Sequence, residues 1–134
     1  GKIHIIDIGA RMGGNMIGPC IIPYGTGVDY VANMIRNAVG DEIDLTPRQK
    51  SAVATRLLAF GNGVVKQLPD FEGLEREYGV EIYHHLEVGQ AVREYHTNLD
   101  GCGYIVAKAS DVETAIGNAE KVLKVIEKTV FMMD

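Results

Sequence analysis

The chain opens with KIHIIDIGARMGGN at residues 2–15, an apolar run followed by an acid, an arginine and a glycine pair. The density of isoleucine predicts a strand that delivers Asp7 to the edge or mouth of a sheet. The turn beyond it places Arg11 beside backbone that Gly13 and Gly14 leave open. A carboxylate for a cation, a guanidinium for an anion and bare N–H groups are what a phosphate-plus-metal site requires. We expect the sequence to hold only part of such a site, because the strand stands at the very start and no initiator methionine precedes it.

The composition is that of one ordinary globular domain. The chain has 134 residues, of which 46% are hydrophobic and 23% charged, and this suffices for a single core. A net charge of −5 with scattered Lys and Arg argues against a nucleic-acid partner, which requires a basic patch. No apolar run approaches the roughly 20 residues of a membrane span, so we expect no membrane partner. Cys20 and Cys102 lie in no metal-binding spacing and favour a reduced, cytoplasmic protein.

The N-terminal third is predicted to contain a strand, a loop and a helix. The strand covers residues 2–8. Residues 9–25 are rich in Gly and Pro, which predicts a loop with room for one short turn of helix. A helix then begins at Thr26, with Asp29 completing a capping box, and it ends at Gly40.

The rest of the chain alternates strands with helices. Residues 51–60 predict a strand that forms a hairpin with residues 64–68 across a Gly-Asn-Gly turn, although the good helix formers in the first run leave a helix open. Further along, the patterns predict a short acidic helix at 70–78, strands at 80–86, 91–95 and 103–109, and a long helix that begins at a capping box of Ser110 and Glu113. This order predicts an α+β fold, a mostly antiparallel sheet flanked by helices.

Three segments carry a resemblance to a known family. The sequence IDIGARMGG at residues 6–14, followed by YGTGVDYV at residues 24–31, resembles the C-terminal part of ATP-grasp ligases, in the carbamoyl-phosphate-synthase-like and L-amino-acid-ligase-like branch. DGCGYIVA at residues 100–107 is similar to the closing lobe of the same enzymes. The resemblance implies the C-terminal portion of an ATP-grasp fold. Its catalytic strand, glycine-rich loop and helix fall in residues 1–45, and the closing α+β lobe falls in residues 46–134.

The resemblance also implies an activity and the residues that perform it. The activity is ADP-forming carboxylate–amine ligation, in which ATP phosphorylates a carboxylate to an acyl phosphate that an amine then attacks. Asp7 falls where the family has a glutamate, one methylene longer, that holds the magnesium ions at the nucleotide phosphates. Arg11 falls on the arginine that neutralises the transferred phosphoryl group or the substrate carboxylate, so it is implied to be both catalytic and substrate-binding. Gly13 and Gly14 lie in the loop whose backbone contacts substrate, and Thr26 begins a helix whose N-terminus favours a substrate carboxylate or phosphate.

Cofactors and partners follow from the same resemblance. ATP and Mg²⁺ are the implied cofactors, and a small-molecule carboxylate and an amine are the implied substrates. The implied partner is the remainder of the ligase upstream of this chain, where the family's other nucleotide and metal ligands lie, so the fragment alone is expected to be inactive. A homo-oligomer is left open. Two alternatives also stay open: a degenerate ATP-grasp relative that only binds nucleotide or scaffolds, and a free-standing α+β interaction domain.

Overall fold

The chain folds around a three-stranded antiparallel sheet. The computed structural model describes residues 3–9 and 11–131. In chain order the helices and strands are α1 (Ile22–Thr26), α2 (Tyr30–Val39), β1 (Ala52–Leu57), β2 (Gly63–Val64), α3 (Phe71–Tyr78), β3 (Val80–His84), β4 (Ala91–Val92), β5 (Gly103–Ala109) and α4 (Val112–Phe131). A π-helical turn at Ile17–Ile21 leads into α1, and a 3₁₀ turn at Asn98–Asp100 precedes β5.

Strand β5 lies at the centre of the sheet, between β1 and β3, and both pairings are antiparallel. Successive side chains of a strand point to opposite faces. Ile105 and Ala107 therefore join the core on the face that carries α4, while Val106 points to the other face. All three are at most 1% exposed. Because both faces of β5 are covered, its sequence is almost continuously apolar rather than alternating.

Helix α4 covers the first face of the sheet. Its apolar stripe is buried at helical spacing, at Ala115, Ala119, Val122, Ile126 and Val130. The helix packs on β1 and β5, and Arg56 of β1 makes an ion pair with Glu120 at 2.7 Å. Every residue of this core lies at position 58 or later. The predicted stripe and long helix are therefore confirmed.

Residues 12–28, here called the glycine-rich segment, cover the second face. Tyr104 of β5 donates a hydrogen bond to Asn15 at 3.0 Å, and Cys20 donates to the hydroxyl of Tyr83 on β3 at 3.4 Å. At the end of the segment, the carbonyl of Gly25 accepts a hydrogen bond from the Ser51 backbone at 3.0 Å. The segment thus lies against the second face of the sheet.

The predicted strand at residues 2–8 is not found. Residues 3–9 lie in no helix or strand, and Ile3 and Ile6 are 96% and 97% exposed. Lys2 lies outside the described residues. A strand needs a neighbour to accept and donate its backbone hydrogen bonds, and no strand among the described residues pairs with this run. Composition alone therefore gave the wrong local structure.

The predicted hairpin between residues 51–60 and 64–68 is also wrong. Strand β1 does form, at Ala52–Leu57, but it pairs with β5 rather than with its neighbour in sequence. Gly63 and Val64 pair instead with β4 in a separate two-stranded sheet. The longer-range pairing is favoured because it places β1 under α4 and lets Leu58 become fully buried. The other strands are confirmed, although those predicted at 80–86 and 91–95 are shorter than expected.

The helix ends also differ from prediction. Helix α2 is capped by Asp29, whose side chain accepts from the Ala32 backbone at 2.9 Å, whereas Thr26 ends the preceding helix α1. The π-helical turn and α1 make residues 17–26 more helical than the predicted loop. Gly40, with φ of 83°, ends α2 as predicted. In the part of the chain that the structure describes, no helix has the length and apolar character to cross a membrane.

Candidate functional site

Asp7 and Arg11, the predicted metal ligand and the predicted catalytic residue, are both exposed. Asp7 lies in the irregular stretch 3–9. The guanidinium of Arg11 donates one long hydrogen bond, from Nη1 to the carbonyl of Met12 at 3.4 Å. Between them, across the residues that are described, there is no ion pair. The structure therefore leaves both side chains open to other groups but does not bring them together.

The glycine pair follows directly and is closely packed on one side. A Cβ added to Gly13 would lie 2.9 Å from Cδ1 of Ile17, so this position has no room for a side chain unless Ile17 moves. A Cβ on Gly14 would meet nothing within 4 Å. The backbone then turns through Asn15 and Met16, whose φ angles of 53° and 64° are in the left-handed region that most side chains disfavour. The pair is thus held at the start of a tight and ordered turn.

Thr26 uses its hydroxyl within its own turn. Oγ1 donates to the carbonyl of Ile22 at 2.7 Å and accepts from the Val28 backbone at 3.2 Å. The Thr26 carbonyl accepts from the backbone N–H groups of Arg48 and Gln49, at 2.7 and 3.1 Å. Its predicted contact with substrate would have to displace one of the hydroxyl's present partners.

The described residues do not by themselves make a magnesium site. Asp7 is the sole carboxylate in residues 1–28. Nowhere in residues 3–9 or 11–131 do three His, Cys, Asp or Glu side chains gather as a metal ion would require. Because Mg²⁺ demands near-octahedral coordination by oxygen, one exposed carboxylate supplies a single ligand and no more.

The structure reveals a polar cluster that the sequence did not indicate. The hydroxyls of Tyr24 and Tyr83 both donate to Oε2 of Glu81, and the two hydroxyl oxygens are 3.5 Å apart. Cys20, 3% exposed, donates from Sγ to the hydroxyl of Tyr83. We call these four residues the tyrosine–glutamate cluster. Glu81 and Tyr83 are two apart on β3, a spacing that places them on one face of the sheet. No pattern in the sequence predicts that Tyr24, which lies 57 residues before Glu81, joins them.

The surroundings of the cluster keep its phenols protonated. Burial and the hydrogen bond to Glu81 raise the pKa of Tyr24 to about 12. Burial, and then hydrogen bonds with Cys20 and Glu81, raise the pKa of Tyr83 far above its usual range. Both hydroxyls therefore stay proton donors at any physiological pH. Beside the cluster is a cleft of about 260 Å³, lined by Tyr24, Gly79, Val80, Glu81, Val106 and Lys108.

Structural comparison identifies the fold. A crystal structure of phosphoribosylglycinamide synthetase from Anaerococcus prevotii, an ATP-grasp enzyme, is similar over 92% of this chain, with a TM-score of 0.65 at 15% sequence identity. This chain spans 31% of the length of that protein. The architecture is therefore that of part of an ATP-grasp enzyme, which confirms the predicted α+β fold class.

Sequence comparison then gives the family. Residues 56–130, more than half of the chain, match the family model of L-amino acid ligase C-terminal domain 2. The chain belongs to this ATP-grasp-related family, and the resemblance noted in its sequence is confirmed. No curated protein gives a match. The matched residues include Glu81 and Tyr83 but not Asp7 or Arg11, so the roles of those two residues stay predictions.

Proposed function

We propose that this chain supplies the C-terminal part of the ATP-grasp domain of an ATP-dependent carboxylate–amine ligase. ATP phosphorylates a small-molecule carboxylate to an acyl phosphate, and an amine displaces the phosphate to give an amide, with ADP and phosphate released. The observation that carries the proposal is the family match over residues 56–130, together with a fold likeness that extends over 92% of the chain. Both cysteines are free thiols, which supports a reducing, cytoplasmic location.

Arg11 is the residue to which we assign the chemistry. Phosphoryl transfer is accelerated mainly by neutralising and positioning charged oxygens, and a guanidinium can contact two of them at once. Arg11 is exposed and, in the described part of the chain, has no carboxylate partner. Its guanidinium would only have to give up one hydrogen bond of 3.4 Å to a carbonyl. The backbone of Gly13 and Gly14, next in the chain, would contact the same substrate.

ATP and Mg²⁺ are proposed as the cofactors of the complete ligase. Asp7 would contribute one oxygen ligand to the metal, and the remaining ligands would come from other parts of the enzyme. The described residues do not surround an ion by themselves.

Exposed apolar side chains support a division at residue 45 and a larger parent enzyme. The described residues of the hydrophobic cluster under α4 all lie within residues 46–134, and only Cys20 and Val28 are buried apolar residues among the described part of residues 1–45. Residues 1–45, in contrast, expose many large apolar side chains, namely Ile3, Ile5, Ile6, Ile8, Ile17, Met34, Ile35, Val39, Ile43 and Leu45. Soluble proteins rarely leave so large an apolar surface uncovered. We therefore propose that upstream parts of the same ligase pack against residues 1–45.

The test is phosphate release by the full-length protein. We expect release from ATP only when an acid and an amine are both present. Arg11→Ala should lower kcat about 100-fold or more, because a positioned cation at the transferred group is lost. Arg93→Ala, which removes an exposed arginine outside residues 1–45, is the matched control and should keep normal turnover. Normal turnover by Arg11→Ala, with an unchanged circular dichroism spectrum, would refute the role of Arg11.

One observation favours a second candidate, a non-catalytic ATP-grasp relative that binds nucleotide or scaffolds. Asp7 is shorter than the glutamate of the enzymes that it resembles, and no other metal ligand gathers near it among the described residues. Asp7→Glu separates the two functions. A gain in metal affinity or turnover supports the ligase, whereas no change in either, in a protein that binds ATP without releasing phosphate, supports the binding domain.

A further inference from the structure

We propose that Glu81 is a positioning residue, which holds the glycine-rich segment against the sheet through the hydroxyls of Tyr24 and Tyr83 and so places the loop at Arg11. The inference has two parts. That Glu81 holds the segment depends only on the structure. That this matters for catalysis rests on the proposed ligase function.

Glu81 joins β3 to the glycine-rich segment across the second face of the sheet. Glu81 comes from β3, in the part that matches the family, whereas Tyr24 comes from α1, outside that match. One carboxylate oxygen accepts from both phenols. Hydrogen bonds to an ionised acceptor are about twice as strong as those between neutral groups. Among the described residues, the only other charged side chain that hydrogen-bonds to the glycine-rich segment is that of the adjacent Arg11, which donates to the carbonyl of Met12 at 3.4 Å, so Glu81 is the one that joins the segment to the sheet.

The cluster lies at the edge of buried structure, with Glu81 exposed and Tyr83 37% exposed, and with buried neighbours beside them. Cys20 is 3% exposed and Val106, beside the cluster, is 1% exposed. The backbone of Tyr24 is also held in place, because Nε2 of Gln49 donates a hydrogen bond to its carbonyl at 2.8 Å. The feature that distinguishes this contact is therefore the sharing of one carboxylate oxygen by two phenols, with Tyr24 also held through its backbone, rather than enclosure from solvent.

A short stretch of hydrogen-bonded backbone connects the cluster to the predicted catalytic loop. The π-helical turn joins Cys20 to Gly14 through a continuous chain of backbone hydrogen bonds. Ile17 donates to the carbonyl of Gly14 at 3.2 Å, and Cys20 and Ile21 donate to the carbonyl of Met16 at 3.1 and 3.0 Å. A shift of Tyr24 or Cys20 therefore moves the backbone that follows Arg11. In phosphoryl transfer, a misplacement of about 1 Å can cost 100-fold in rate.

Two thiols in the same molecule provide the test of the first part. Cys20 lies within the glycine-rich segment and is buried against the sheet, and Cys102 is equally buried in the core. In full-length protein, Glu81→Gln and Tyr24→Phe should raise the rate of Cys20 alkylation by iodoacetamide about 10-fold and leave that of Cys102 unchanged. The double variant should react no faster than Glu81→Gln, because both changes break one contact. The matched controls are Glu127→Gln on α4 and Tyr95→Phe, whose hydroxyl donates locally to Asn98.

Enzyme kinetics on the same variants test the second part. We expect Glu81→Gln to lower kcat at least 10-fold while the KM for ATP changes less than 3-fold, because the loop is misplaced rather than the nucleotide lost. Each other outcome is decisive. Unchanged Cys20 labelling overturns the holding role, and equal acceleration of Cys20 and Cys102 overturns it by showing general destabilisation. Faster Cys20 labelling with normal kcat overturns the catalytic role alone. A wild-type protein without ligase activity refutes the proposed function, while the labelling still decides whether Glu81 holds the segment.

Discussion

At the scale of the residue, Gly103 of β5 is a position where the backbone of β3 leaves no room for a side chain. Its φ is 144°, and a Cβ there would lie 2.0 Å from the carbonyl oxygen of Tyr83. Gly103→Ala should therefore lower the free energy of unfolding by roughly 2–4 kcal/mol, through strain at an unfavourable φ and a clash with backbone. Urea denaturation followed by circular dichroism measures this. Gly61→Ala, where a Cβ meets nothing within 4 Å, is the control. Equal effects of the two substitutions would contradict the prediction.

We expect His84 to make the stability of the folded protein depend on pH. Its ring stacks on Phe71 with centroids 3.9 Å apart, and Nδ1 accepts from the Leu86 backbone at 3.2 Å. Burial and the neighbouring charge of His85 lower the pKa of His84 from its ordinary value of 6.5. The folded state therefore binds fewer protons than the unfolded state as pH falls below 6.5. Above that pH, His84 does not reduce the free energy of unfolding. We therefore expect the urea midpoint to decrease as the pH is lowered from 7 to 5.

A substitution separates His84 from the carboxylates. In His84→Gln the decline between pH 7 and pH 5 should be smaller, because the titrating ring is gone. Below pH 4 both proteins should lose stability alike, since hydrogen bonds to backbone N–H groups lower the pKa values of Asp44, Asp100 and Asp111 in the folded state. A variant that keeps the whole decline above pH 5 would show that other groups cause it.

At the scale of the element, the start of α4 tests how a helix is capped. The sequence predicted a capping box from Ser110, but Asp111 accepts from the Thr114 backbone at 2.8 Å and from the Thr114 hydroxyl at 2.8 Å. Asp111→Ala should lower the free energy of unfolding by about 1 kcal/mol. Ser110→Ala, which removes only a donor to Asp111 at 3.3 Å, should change it by less than about 0.5 kcal/mol. The same urea titrations compare them, and a reversed order would restore the predicted cap.

The elements also show which local patterns are reliable. The stripe of α4 predicted its buried face because period and length agree over twenty residues. Strand β1 was predicted correctly as a strand but given the wrong partner. An apolar run specifies that a face will be buried, whereas the choice between β5 and a nearby run depends on which arrangement buries more surface. That quantity belongs to the whole fold.

At the scale of the whole molecule, we expect the core and its N-terminal covering to be separable. The hydrophobic cluster that packs under α4 draws its described residues from 46–134, so this part should fold by itself and unfold cooperatively in urea. Removing residues 1–45 uncovers Val106, and the free energy of unfolding should fall by roughly 2 kcal/mol or more. The shortened chain should also bind anilinonaphthalene sulfonate, a dye for exposed apolar surface. Absence of a cooperative transition would contradict the proposed division at residue 45.

The candidate site illustrates what a sequence can and cannot predict. The residues of the glycine-rich loop were proposed from their order alone, because a phosphate-plus-metal site needs an acid, an arginine and glycines, and their roles stay predictions. The structure leaves Asp7 and Arg11 exposed and unpaired with each other among the described residues. The tyrosine–glutamate cluster could not be found in the same way, since its members come from α1 and β3 and meet only when the segment lies on the sheet.

The amino-acid sequence by itself determined the family, the fold class, the burial stripe of α4 and the boundaries of β5, because these depend on local periodicity and on motifs a few residues long. Only the tertiary structure decided that β1 pairs with β5, that residues 3–9 have no strand partner among the described residues, and that Glu81 receives the hydroxyl of Tyr24. Each of these depends on which distant surfaces bury the most apolar area together. The buried apolar area depends on the whole folded chain, so no short stretch of sequence predicts it.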